Sequence, residues 1–174
     1  MKIIATVPSS PQKFALHIRH PGWAATASVS VNVAAAKSSH APGSLIVLKR
    51  RWKAGDVVEV DMPMTVRTEL LPGTTDTAAV VYGPIVLVGA LDHGVKPGDD
   101  LHVNERTIGS VFNEPIEVPT FVGALAGIPG KIKPASAPLT FKTDGVGRPG
   151  DVTLIPFYKM AHQHYNMYWK IQSA

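Results

Sequence analysis

The chain closes on PFYKMAHQHYNMYWKIQSA, Pro156 to Ala174, which sets two histidines among aromatic side chains and contains no Asp or Glu. Read as an extended strand with a period of two, His162, His164, Asn166, Tyr168 and Lys170 share one face. Gln163, Tyr165, Met167, Trp169 and Ile171 share the other, which reads as the core face. Imidazoles at i and i+2 could both reach one metal ion. A metal also needs a third and usually a fourth ligand, and no partner stands at a fixed spacing. The sequence therefore gives no metal site and no cofactor. It assigns His162, His164 and Tyr168 to a polar face turned toward neighbouring strands or an interface.

A second group lies near the start. His17, Arg19 and His20 precede Trp23, and Trp52 follows Arg50 and Arg51. An exposed indole can stack on a sugar ring while arginine donates to hydroxyls, so Trp23, Arg19 and Trp52 are candidate carbohydrate contacts. The alternative for both tryptophans is a buried anchor of a sheet, the commoner fate of large aromatics. Glycoside hydrolysis needs two carboxyl groups roughly 5–10 Å apart in a cleft. Glu69, Asp76, Asp92, Glu105, Glu114, Glu117, Asp144 and Asp151 form no recognisable constellation of that kind, and most stand in turn-like surroundings. There is no nucleophile elbow, phosphate loop or dinucleotide fingerprint either. No residue is assigned as catalytic.

The elements that must position these groups read as strands. In ASVSVNV, Ala27 to Val33, the residues Val29, Val31 and Val33 alternate with Ser28, Ser30 and Asn32. The small-residue loop AAAKSSHAPGS follows as a hairpin tip. SLIVLKRRW runs into the turn KAGD, where Gly55 supplies a permissive backbone. VVEVDMPM then sets Val58, Val60, Met62 and Met64 against Glu59 and Asp61. AAVVYGPIVLVGAL, Ala78 to Leu91, is apolar almost throughout and is divided by Gly83-Pro84 into two strands buried on both faces. DHGVKPGDD marks a linker, and short extended pieces follow it at intervals of roughly ten residues. The expected architecture is all-β with little helix: two small antiparallel, jelly-roll-like β-sandwich units, residues 1–91 and 92–174.

Composition agrees with that reading. Across 174 residues, 45% are hydrophobic, enough to form a core, and fifteen prolines and fifteen glycines leave little room for long helices. No apolar run reaches the roughly 20 residues that span a bilayer, so a soluble protein with no membrane partner is expected. The first twenty residues lack the pattern of a signal peptide, and the compartment is left open. Zero cysteines exclude disulfides, thiolate metal sites and a cysteine nucleophile within this chain. The net charge of +4 has only Lys49-Arg50-Arg51, with Lys53 close by, as a dense cluster. That footprint is too weak to predict nucleic-acid binding.

Five stretches occur in the order of a known family: HIRHPGWA (His17–Ala24), VSVNV (Val29–Val33), LKRRWKAGDVVEVDMPM (Leu48–Met64), VVYGPIVLVGAL (Val80–Leu91) and FYKMAHQHYNMYW (Phe157–Trp169). Together they resemble the C-terminal β-sandwich region of bacterial β-L-arabinofuranosidase-like enzymes, glycoside hydrolase family 127, long filed as a domain of unknown function. VSVNV runs into AAAKSS where such sequences usually carry an Asn-Gly turn, and His164 stands where the closing motif usually has arginine. The resemblance implies that hydrolysis belongs to an N-terminal (α/α)6 barrel, whose acid and zinc-bound thiolate have no counterpart here. The expected role is non-catalytic: supporting that barrel as a partner, or holding subunits of a homo-oligomer together. The alternative is a carbohydrate-binding module for arabinose-containing glycans.

Overall fold

The computed structural model describes residues 11–36, 40–91, 117–160 and 164–173, together with the backbone of residues 2–4. Among these residues the fold is all-β, the helical content being short 3-10 segments at Leu125–Lys131 and Phe157–Lys159. The chain forms two units, Met1–Thr65 and Val66–Ala174. The boundary expected at Leu91 is thus corrected to Thr65/Val66. Among the described residues, the apolar run after Thr77 takes its strand partners from Val66–Leu70 just before it and from the last third of the chain.

The first unit is a sandwich. One layer is a four-stranded antiparallel sheet in the order β1 (Lys2–Ile4), β6 (Val57–Asp61), β3 (Ser28–Val31) and β4 (Ala34–Ala35). The other is a two-stranded ribbon in which β2 (Gln12–Arg19) pairs with β5 (Leu45–Trp52) from Gln12↔Trp52 to Arg19↔Leu45. Period-two patterning makes the core: Ile18, Ile46, Leu48 and Trp52 from the ribbon meet Val29, Val31, Val58 and Val60 from the sheet. Glu59 and Asp61 point away, as the alternation requires.

Val33 does not join its alternating partners. The hairpin turns at Asn32 and Val33, both with positive φ (52° and 74°), and Val33 is 91% exposed. The expected longer tip is therefore replaced by a tight two-residue turn, after which β4 already returns. Asn32 braces it: its amide donates to Asp56 Oδ1 at 2.8 Å, and its Oδ1 accepts the Val57 N–H at 2.9 Å.

In the second unit, β7 (Val66–Leu70), β8 (Thr77–Tyr82), β9 (Ile85–Leu91), β10 (Thr120–Val122), β11 (Ile132–Pro134), β12 (Phe141–Thr143), β13 (Gly147–Arg148), β14 (Thr153–Pro156), β15 (His164–Asn166) and β16 (Tyr168–Gln172) belong to one hydrogen-bonded sheet. Its main path runs β11-β12-β14-β9-β8-β16-β10-β13. The pairing is antiparallel except where β10 meets β16 in parallel, so the sheet is mixed and the purely antiparallel expectation is corrected here. A parallel neighbour is available because the connection between β10 and β16 is long.

The closing segment fills a fork. β8 and β9 pair tightly near their turn, Val80↔Leu87 to Tyr82↔Ile85, and then separate. Into the opening come β15, against Gly89–Leu91 of β9, and β16, against Thr77–Ala79 of β8. Trp169 of β16 is fully buried and stacks on Phe121, with centroids 4.5 Å apart and rings 7° from parallel. Its indole lies over Gly89, where an added Cβ would fall 2.5 Å from the ring. Leu87, Phe141 and Leu154 extend the same core. Each such aromatic contributes about 4–6 kcal/mol of gross burial at about 25 cal/mol per Å².

Candidate functional site

The residues singled out in the sequence fall at three separate places. The first is the turn HPGW after β2. His20 is buried, and its Nε2 donates to the Ala24 carbonyl at 2.8 Å. Its Nδ1 meets His40 Nδ1 at 2.9 Å, one ring donating and the other accepting. The backbone completes the clasp: His20 N–H donates to the Ser44 carbonyl, and Gly43 N–H donates to the His20 carbonyl. His20 ties two loops together, and Trp23 sits half-buried in the first of them. Arg19, at the end of β2, is exposed on the face opposite to that of buried Ile18.

The second place is Trp52. Its side chain is fully buried, its Nε1 donates to the Phe14 carbonyl at 3.1 Å, and the Phe14 ring stacks on it at 5.5 Å. The Arg50 guanidinium lies over the same indole at 5.1 Å. No face of Trp52 is open to a sugar ring, so the stacking expectation for it is corrected. Even positions of β5 point inward, and Trp52 is one of them. Trp52 and Trp23 do not form a shared platform.

The third place is the closing strand. His162 lies outside the described residues. His164 is half-buried and pairs with Leu91 of β9, while Tyr168 is exposed and pairs with Ala79 of β8. The alternation expected from His162 to Ile171 holds in β16, where Trp169 is buried and Tyr168 and Lys170 are exposed. It fails in β15: Tyr165 is exposed, resting against Phe157 with centroids 5.4 Å apart. The chain leaves β9 for β8 at Met167, which breaks the pleat and resets which parity faces inward.

The carboxylates with depressed pKa values each hold a turn or a strand end. Asp56 accepts from the Asn32 amide and from the Lys53 backbone N–H at 2.9 Å, with Arg50 3.7 Å away. The Asn32 hydrogen bond leads in holding its carboxyl below the usual range, followed by the Lys53 N–H. Asp76 is lowered first by the Lys170 ammonium, 2.7 Å away, then by the Thr77 hydroxyl. Asp151 is lowered first by the Gly145 N–H and then by Thr143, whose hydroxyl donates at 2.8 Å. Thr143 Oγ1 in turn accepts the Val152 N–H. Glu69 is engaged by Arg67. Asp56 and Asp151 thus serve as acceptors for local backbone N–H groups, and Asp76 for the Lys170 ammonium. Among the described residues no group of three or more His, Asp or Glu could hold a metal ion. No helix among them is long and apolar enough to cross a membrane.

Sequence reasoning missed how the basic residues group. Lys13 and Arg51 are direct cross-strand partners, and Lys49 and Arg19 share their face of the ribbon. Only the β2–β5 register, which joins segments about thirty residues apart, reveals this.

Two all-β units are built around separate cores, with Asp56 and Asp151 tied into turns. Comparison with known families makes the assignment particular. Residues 2–64 match the β-L-arabinofuranosidase, GH127 middle domain, and residues 67–171 match a domain of unknown function, DUF4986. The chain belongs to the DUF4986 family over most of its length and carries the glycoside hydrolase family 127 middle domain before it. No curated protein matches the sequence. Among solved structures, a glycoside hydrolase is similar at 20% identity and a TM-score of 0.65, covering 96% of this chain and 29% of its own. A GH127 β-arabinofuranosidase is similar at 22% and 0.65, covering 98% and 29%. A GH127 β-L-arabinofuranosidase from Geobacillus stearothermophilus T6 is similar at 18% and 0.61, covering 94% and 27%. The chain thus spans less than a third of the length of these structures.

Proposed function

We propose that this chain is a non-catalytic sandwich region of a bacterial glycoside hydrolase of the β-L-arabinofuranosidase type. Its role is to support a catalytic barrel carried elsewhere in the parent polypeptide. The observation that carries the reading is the pair of family matches, a middle domain followed by DUF4986, which together account for nearly the whole chain. The use of Asp56, Asp76 and Asp151 as turn acceptors supports it, because a general acid needs a raised pKa.

The test is removal of this region from the parent hydrolase. Loss of soluble, active enzyme, with the barrel's midpoint of thermal unfolding lowered by several degrees, is the expected result. A truncated enzyme of full stability and activity would contradict the supporting role. The second reading, a module for arabinose-containing glycans, is favoured by half-buried Trp23 four residues after exposed Arg19. It predicts saturable heat on calorimetric titration with arabino-oligosaccharides, reduced at least tenfold in Trp23→Ala.

A further inference from the structure

The charge of the chain is concentrated in one unit. Residues 1–65 hold eight Lys or Arg against three Asp or Glu, whereas residues 66–174 hold nine against ten. Within the first unit the ribbon sorts its side chains by parity. Even positions carry the core residues Ile18, Ile46, Leu48 and Trp52, and odd positions point outward. The outward set includes Lys13, Arg19, Lys49 and Arg51, all exposed, and no Asp or Glu. None of the four forms an ion pair among the described residues. Lys13 stands directly across from Arg51, an arrangement of like charges that costs stability in an isolated sheet.

We propose that this outward face is a binding surface for an acidic glycan, a linear chain of uronate-bearing sugars. The proposal rests on the reading that the parent protein acts on glycans, and it adds the class of polymer this unit holds. Charge complementarity commits the face to an anionic partner. The four cations span about 20 Å along the strands, so they suit an extended polymer better than one small anion. Arg19 and Arg51 offer planar forks that match carboxylates, while the lysines act as point charges. Between them Ala15 and Val47 supply small aliphatic surface for the C–H faces of sugar rings. No Phe, Tyr or Trp occupies an outward position, so the face lacks the stacking platforms that single-stranded nucleic acids use.

The test is biolayer interferometry of the full 174-residue chain on immobilised polygalacturonate, neutral arabinan and duplex DNA. Saturable binding to polygalacturonate at about 50 mM salt is expected, weakening several-fold by about 300 mM as screening shortens the reach of each charge. Lys49→Glu with Arg51→Glu abolishes it. Lys49→Gln with Arg51→Gln weakens it at least tenfold and serves if the reversal fails to fold by circular dichroism. Charge reversal at Lys133 and Lys142, an exposed cross-strand pair in the second unit, leaves binding unchanged. Absence of binding at low salt, binding indifferent to the Lys49 and Arg51 changes, or tighter binding to DNA would each overturn the proposal. So would self-association of the chain that the same changes abolish, since a second copy would then be the partner. Truncation of the parent enzyme reads the supporting role independently, so failure of one does not imply failure of the other.

Discussion

Val33 holds a left-handed backbone at the tip of a hairpin, φ 74°, with almost its whole side chain in solvent. A β-branched residue pays about 1–2 kcal/mol for that conformation, which glycine adopts freely. Val33→Gly is therefore expected to raise stability by about 1 kcal/mol, after allowing for the greater freedom of glycine in the unfolded chain. A urea midpoint that stays level or falls would show that the turn is relaxed as it stands. Asp56, Asp76 and Asp151 act in the opposite direction, as stabilising acceptors. Their folded pKa values lie below the unfolded value of about 3.9, so the unfolded chain binds more protons at acid pH. Their contribution is complete above that value and is lost as pH falls through the folded pKa values. Urea midpoints are expected to be flat from about pH 7 to 5 and to drop below about pH 4. Asp151→Asn should lower the neutral midpoint and shallow the acid slope; an unchanged slope would remove Asp151 from the account.

At the scale of elements, the closing strand depends on a glycine in the strand it meets. Gly89 leaves the space that the Trp169 indole fills between Val152 and Phe121. Gly89→Ala should cost about 1–3 kcal/mol by overpacking, read from chemical denaturation. A cost near zero would mean that Trp169 has room to move. The strands themselves were legible in the sequence wherever one face was buried: Val29 and Val31, Val58 and Val60, and the paired runs either side of Gly83-Pro84. What was not legible depended on partners far away in sequence. The boundary at Leu91 was misplaced because β8 and β9 look alike whether they close a first unit or open a second. Their membership is decided by β14 and β16, about 65 to 93 residues later. Tyr165 was assigned to the wrong face because the break at Met167 leaves no mark in an alternating pattern. Among the candidate site residues, Trp52 was placed correctly as a sheet anchor in one of its two readings, and its parity within β5 decided between them.

For the whole molecule, the proposal is that a chain matching the GH127 middle domain and DUF4986 supports chemistry carried elsewhere in its parent. Two cores, each assembled from alternating strands, occupy the interiors of the two units, and the shifted carboxylates are consumed by turns. The most direct test is incubation of the pure 174-residue chain with a chromogenic β-L-arabinofuranoside. The account predicts sugar release no faster than in buffer, with or without added zinc. Sustained turnover proportional to protein concentration, abolished by substituting any one carboxylate of this chain, would contradict it.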